Sequence, residues 1–287
     1  MPESLSRENG LPNNAIKGFF DGLSRIISRY RPDEIAICLD DNWRPSWRVE
    51  LFPGYKLHRL ENAGEENAGE ENEPDLLSPQ IGPIIELCSL LGLAPLSVED
   101  QEADDVIATL ATPDRAKSVR VMTGDRDLFQ LIKKDHDLQI IYLAKGISQH
   151  ELVDGSYITT KYGIPFDRYL LFAAIRGDAS DGLPGIKGIG EKGAAKIATH
   201  FASMAEVITA AQSSDPLLTP LHVKRLVADL EYARIAEAVV SCRTDLDIND
   251  SELGQWRSRS NLLDFRRRAA EWDLGATTER VVAALDI

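Results

Sequence analysis

Apolar residues recur at helical spacing near the start of the chain. Ile16, Phe19, Phe20, Leu23, Ile26 and Ile27 predict an amphipathic helix over residues 14–30. The next segment, EIAICLD, is apolar almost without break until it ends at Asp40, which predicts a short strand covered on both faces of a parallel sheet. A helix over 81–92, a short strand APLSV and a helix QEADDVIATLA with an acidic first turn follow. VRVMTG and LQIIYL read as two further strands. Strands alternating with helices predict a doubly wound α/β sheet. Beyond about residue 152 the strand signal ends, and the remainder reads as helical around one Gly-rich segment at 182–193. The expected division is an α/β core over 1–153 and a helical domain over 154–287.

Composition refines this picture in three ways. A chain of 287 residues accommodates one large α/β unit plus a compact accessory domain, and no apolar run approaches the length of a membrane span. The polar start, MPESLSRENGLPNN, carries no apolar stretch of a secretory signal. Cys38, Cys88 and Cys242 are far apart and odd in number, which argues against a disulfide framework or a zinc knuckle and predicts a reducing, cytoplasmic setting.

The net charge of −14 at first disfavours nucleic acid as a partner. The charge is unevenly spread. Residues 61–75 hold seven acids in a low-complexity loop where NAGEE occurs twice, and eight more acids fall in four short motifs. With those set aside, 31 Asp and Glu remain against 32 Lys and Arg, so basic clusters can still face a phosphate backbone.

The four motifs are CLD at Asp40, EADD at Glu102, Asp104 and Asp105, GDRD at Asp125 and Asp127, and GDASD at Asp178 and Asp181. Asp40 ends one predicted strand and GDRD follows another, so both belong at the carboxyl rim of the sheet, where open α/β folds bind ligands. EADD opens a helix, whose positive end tolerates clustered carboxylates. Any one pair alone reads as a turn or a solvated helix start. Four together read as a site for divalent cations, which relieve the repulsion among the carboxylates. Mg²⁺ prefers hard oxygen ligands, and two such ions about 4 Å apart suit phosphodiester hydrolysis.

The segment GLPGIKGIGEKGAAKIATHF (182–201) places Gly185, Gly188 and Gly190 before a helix starting near Glu191, with Lys187, Lys192 and Lys196 alongside. Glycines expose backbone N–H groups, and the helix start adds positive potential, so the segment reads as a helix–hairpin–helix grip on a phosphate backbone. No Gly-Lys-Ser/Thr ending supports a P-loop. In WRPSWRVELFPGYKLHR, Arg44, Arg48, Lys56 and Arg59 interleave with Trp43, Trp47 and Tyr55, a pattern that suits phosphate contact and base stacking, or else a surface segment with buried aromatics. Arg266, Arg267 and Arg268 read as a solvated helix face, and the five histidines show no ligand spacing.

In order and spacing, CLD, WR…YK..R, EADD, GDRD and GD-SDGLPGIKGIGEKGAAK resemble the bacterial 5′→3′ exonuclease and flap endonuclease family over residues 10–245. The resemblance implies a PIN-like nuclease core followed by a helix–hairpin–helix domain. It implies Mg²⁺, two ions or more with Mn²⁺ as substitute, held by Asp40, Glu102, Asp104, Asp105, Asp125, Asp127, Asp178 and Asp181. The first four would hold one ion at the attacking water, and the last four a second at the leaving side. Arg48, Tyr55, Lys56 and Arg59 match the family's gateway for a single-stranded 5′ end, within an arch region at about 43–78, with Lys56 as electrostatic stabiliser. Gly185, Gly188 and Gly190 match its hairpin, which in relatives holds K⁺. The expected substrate is double-stranded DNA with 5′ ends, nicks or flaps, handled by a monomeric, nucleoid-associated bacterial protein. The family's first strand and its Asp have no counterpart after Met1, so the expectation is a natural start upstream. The alternatives are a non-catalytic structure-specific DNA-binding protein and an RNA-directed nuclease of the same core.

Overall fold

The computed structural model describes residues 11–60, 76–93, 95–251 and 253–286, and the NAGEE repeat lies outside them. In chain order the elements begin with α1 (Asn14–Tyr30), β1 (Ile37–Cys38), α2 (Ser46–Leu51), α3 (Ser78–Leu90) and β2 (Pro95–Leu96). Then come α4 (Ala103–Leu110), β3 (Ser118–Thr123), β4 (Asp137–Tyr142) and β5 (Glu151–Val153). The helical remainder holds α5 (Gly155–Tyr162), α6 (Tyr169–Arg176), α7 (Glu191–His200), α8 (Met204–Gln212) and α9 (Pro220–Ala228). It closes with α10 (Leu230–Val240), α11 (Leu262–Glu271) and α12 (Ala276–Leu285).

Two compact units are formed, one from residues 11–39, 76–97 and 248–286, the other from 40–60 and 98–247. In the first, Ile16, Phe20, Leu23 and Ile27 of α1 form the buried stripe that the sequence spacing predicts, packed with Leu87, Trp256, Phe265 and Val281. Asn13 precedes α1 without a side-chain cap, and buried Gln80 of α3 supplies the missing acceptor, taking the Ala15 and Ile16 amides at 2.9 and 3.1 Å. The strand expected over 34–40 shortens to two residues, β1, paired in parallel with β2. Arg266, Arg267 and Arg268 form ion pairs along and beside α11, with Glu279, Asp264 and Glu86 among their partners.

The second unit holds a three-stranded sheet in the order β3-β4-β5. The β3–β4 pair is parallel and in register from Ser118–Asp137 to Thr123–Tyr142, as the apolar runs predict. β5 was not expected. It pairs antiparallel to β4, a geometry that a short connection permits, whereas a parallel pair needs a long crossover. Its three residues are too few for a period to register. Leu128, Phe129, Ile140, Tyr169, Phe172 and Ile175 are buried at the centre of this unit.

Candidate functional site

All eight acids singled out in the sequence lie in the second unit. Asp40 is exposed and accepts the Ala103 amide at 2.7 Å, capping the start of α4. Glu102 precedes that helix, and Asp104 and Asp105 occupy its first turn. Asp125 follows β3 and accepts the Asp127 amide at 2.8 Å, an Asx-type turn that opens the 3₁₀ turn Asp127–Leu131. Asp178 follows α6, and its carboxylate accepts the Ser180 amide at 2.9 Å. Its backbone pairs with Leu183 in both directions, at 2.9 and 2.8 Å, which closes the loop carrying Asp181.

The predicted gateway residues enter this site in different ways. Arg48, on α2, is almost wholly buried. It reaches both oxygens of Asp105 at 2.8 and 2.9 Å, pairs with Glu102, and donates to the Val239 and Ser241 carbonyls. Burial works against its charge, but Asp105, Tyr55 and Glu102 outweigh that and hold its pKa above the usual arginine value. The Lys56 ammonium pairs with Glu102 and lies 3.6 Å from Asp181. The Tyr55 hydroxyl donates to Glu102 at 2.9 Å, and burial, then Asp181 and Glu102, raise its pKa, so it keeps its proton. Arg59 is exposed and reaches Asp181 at 3.1 Å. Asp105 also accepts the Arg243 amide at 2.8 Å, so its oxygens are committed to this internal network.

Arg48, Tyr55, Glu102, Asp104, Asp127 and Asp181 line a cavity of about 10 Å³. Burial, then Asp125 and Glu102, raise the Asp104 pKa to about 8. Burial, then Asp125, Asp178 and Asp181, raise that of Asp127 to about 7. Glu102 and Asp181 are likewise raised, chiefly by burial. One oxygen of Asp127 is buried without a hydrogen-bond partner. Among the described residues, no three His, Cys, Asp or Glu side chains converge as a ready-made metal cage. Mg²⁺ does not require one, because it keeps several waters and takes one or two carboxylates together with substrate phosphates. Hard oxygens that repel one another, with one left unpartnered, fit such an ion by their chemistry.

The glycine segment adjoins the acids. Gly177 and Gly185 have φ of +76° and +62° and lie back to back: a Cβ on Gly185 would stand 2.6 Å from the Arg176 carbonyl. Only glycine allows both the left-handed backbone and this approach. The Ile189 amide closes a turn on the Ile186 carbonyl at 2.8 Å, and α7 starts at Glu191. Lys187, Lys192 and Lys196 are exposed on this segment, as are Gly188 and Gly190.

Three contributors were not foreseen. Arg225 of α9 donates to the Gly188 carbonyl, and Asp229 accepts the Lys187 amide at 2.7 Å, so one helix end holds the hairpin from behind. In sequence they look like ordinary surface charges. Arg176 closes an apolar helix, YLLFAAIR, directly before the GD motif, and that adjacency was the available signal.

Comparison with known proteins places these features in a family. The profile described as 5′-3′ exonuclease, N-terminal resolvase-like domain, matches residues 1–163, and the 5′-3′ exonuclease, C-terminal SAM fold, matches 164–260. The expected nuclease core followed by a helical domain is thereby borne out. A 5′-3′ exonuclease of Streptomyces coelicolor is 37% identical over 285 residues, 99% of this chain and 94% of that protein. One from Mycobacterium tuberculosis is 38% identical over 254 residues, 86% of this chain and 80% of that protein. A solved structure of T5 5′-exonuclease with bound zinc is alike in fold, with a TM-score of 0.65 at 18% identity, over 95% of this chain and 93% of that one. With both profiles matched in sequence order and such identity across nearly its whole length, the chain belongs to the 5′-3′ exonuclease family.

Proposed function

We propose that the protein is a metal-dependent 5′→3′ exonuclease and 5′-flap endonuclease that hydrolyses phosphodiester bonds of DNA with 5′ ends, nicks or flaps. The observation that carries this reading is the convergence of Glu102, Asp104, Asp127 and Asp181 with Tyr55 on one small cavity, with Lys56 paired to Glu102, in a chain of this family. Asp104, Asp125 and Asp127, with Asp178 and Asp181 beside them, are the proposed Mg²⁺ ligands, and Asp40 and Glu102 act at their margin. When bound, the ions supply Lewis acidity and a nucleophilic water at neutral pH.

The protein's own groups orient and stabilise. Lys56 brings positive charge beside Glu102 and Asp181, where a phosphate gains charge during hydrolysis. Tyr55 keeps its proton and fixes Glu102. Asp105 works through Arg48, which it holds in place. Arg59, being exposed, meets the DNA backbone. Gly188, Gly190, Lys187, Lys192 and Lys196 bind duplex phosphates without reading sequence. Mn²⁺ is expected to replace Mg²⁺. K⁺ is proposed on the hairpin carbonyls, of which Gly188 already accepts from Arg225. The protein is proposed to act as a monomer at the bacterial nucleoid. Among the described residues, no helix is long and apolar enough to cross a membrane.

The test is cleavage of a labelled 5′-flap duplex with Mg²⁺ and with EDTA. Metal-dependent cutting by the wild type, lost in Asp125→Ala and Asp127→Ala while DNA binding persists, is the expected result. DNA binding without metal-dependent turnover would overturn it.

A further inference from the structure

Arg176 is the last residue of α6, and its side chain is only 9% exposed. The guanidinium lies over the Phe172 ring at 5.3 Å, and its Nε donates to the Gly177 carbonyl at 3.0 Å. That leaves Nη1 and Nη2 buried with no hydrogen-bond partner, a costly state for a charged group. What faces them is the buried Tyr169 hydroxyl and two carboxylates. Nη2 stands 3.5 Å from the Asp178 carboxylate and 3.9 Å from Asp127 Oδ1, the oxygen that itself lacks a partner. Arg126 adds a second guanidinium 3.6 Å from Asp178. Lys56 and Arg59 stand against Asp181. Among the described residues, Asp104 and Asp125 form no ion pair. The carboxylates are therefore divided into an end held by ion pairs (Asp127, Asp178, Asp181) and an end without them (Asp104, Asp125), where Lys56 acts on Asp104 only from a distance.

We propose that Arg176 is a built-in cation of the Asp127–Asp178 end, so that this chain binds one divalent ion readily at the Asp104–Asp125 end and a second only weakly. This rests on the divalent-ion reading of the carboxylates. A fixed positive charge within about 4 Å of two ligands repels an arriving divalent ion, and at an effective dielectric of about 20 that repulsion suffices to weaken its binding at least tenfold. Part of the charge that a second ion would bring to this end is already present in the protein. Arg176 is thus a positioning residue: it sets how many ions are held before DNA arrives, and leaves the second to be completed by substrate phosphate oxygens, as Mg²⁺ sites commonly are.

Mn²⁺ binding to the full chain without DNA, followed by electron paramagnetic resonance and calorimetry, tests this. The expected wild-type result is one Mn²⁺ bound well and a second at least tenfold weaker. Arg176→Met should tighten the second site at least tenfold, and Arg176→Lys should keep wild-type behaviour. Circular dichroism verifies folding, and Arg176→Gln serves in place of the Met variant if that one does not fold. A neutral, folded variant with wild-type stoichiometry and affinities, or a loss of Mn²⁺, overturns the proposal. A wild type that binds no Mn²⁺ overturns the divalent-ion reading and the proposal with it.

Discussion

The guanidinium of Arg48 lies fork to fork on the carboxylate of Asp105, at 2.8 and 2.9 Å, with side chains 4% and 0% exposed. A buried pair of this kind says little about net stability while intact, but losing one partner strands the other's charge. Arg48→Met or Asp105→Leu alone should each cost about 3–5 kcal/mol in urea unfolding. The double variant should cost clearly less than the two single costs together. Additive losses would mean that the pair does not act as a unit.

Asp104 and Asp127 hold protons up to about pH 8 and about pH 7, whereas an unfolded Asp releases its proton near 3.9. Between these values the native state binds more protons than the unfolded one, so stability falls as pH rises. In EDTA, the protein should melt at a lower temperature at pH 8.5 than at pH 5.5. On the proposed function Mg²⁺ binds the ionised carboxylates, and it should then raise the melting temperature more at the higher pH. Asp104→Asn and Asp127→Asn should each flatten the metal-free slope. A metal-free melting temperature that rises across this window would contradict the assignment.

Gly185→Ala places a Cβ 2.6 Å from the Arg176 carbonyl on a left-handed backbone, and a loss of at least about 2 kcal/mol in thermal or chemical unfolding is expected. Gly190 has open space around it and ordinary φ at the start of α7, so Gly190→Ala should cost about 1 kcal/mol or less. Its effect should fall on duplex DNA affinity instead. Equal stability losses in the two variants would refute the contrast.

Lys187, Lys192 and Lys196 are exposed, so their removal should leave unfolding unchanged within about 0.5 kcal/mol. If each meets one phosphate, each alanine variant should weaken duplex binding at low salt and reduce the slope of log affinity against log salt by about 1. Unchanged salt slopes would remove these lysines from the interface.

Much of this layout was legible in the chain. Helix α1 runs over 14–30 as its apolar spacing requires, and β3 and β4 fall on the two apolar runs assigned to them. Such stripes report burial directly. The acids were legible because carboxylates at strand ends and helix starts are rare enough in combination to stand out. Their partners were not. Nothing local tells whether Arg48 turns inward to Asp105 or outward to solvent, because the two are 57 residues apart and meet only through packing. Arg225 and Asp229 reach the hairpin across about 40 residues and were invisible for the same reason.

The back-to-back glycines, Gly177 and Gly185, have a mechanical consequence. One precedes the Asp178 carboxylate, and the other opens the hairpin proposed to meet the phosphate backbone. With no side chain between them, the two segments pack backbone on backbone, like the jaws of a calliper set close together. If the hairpin holds a phosphate as proposed, the span from it to the phosphate that is cut becomes a built-in length. On the proposed function, where the strand is severed is then measured from the duplex grip, whatever bases lie between.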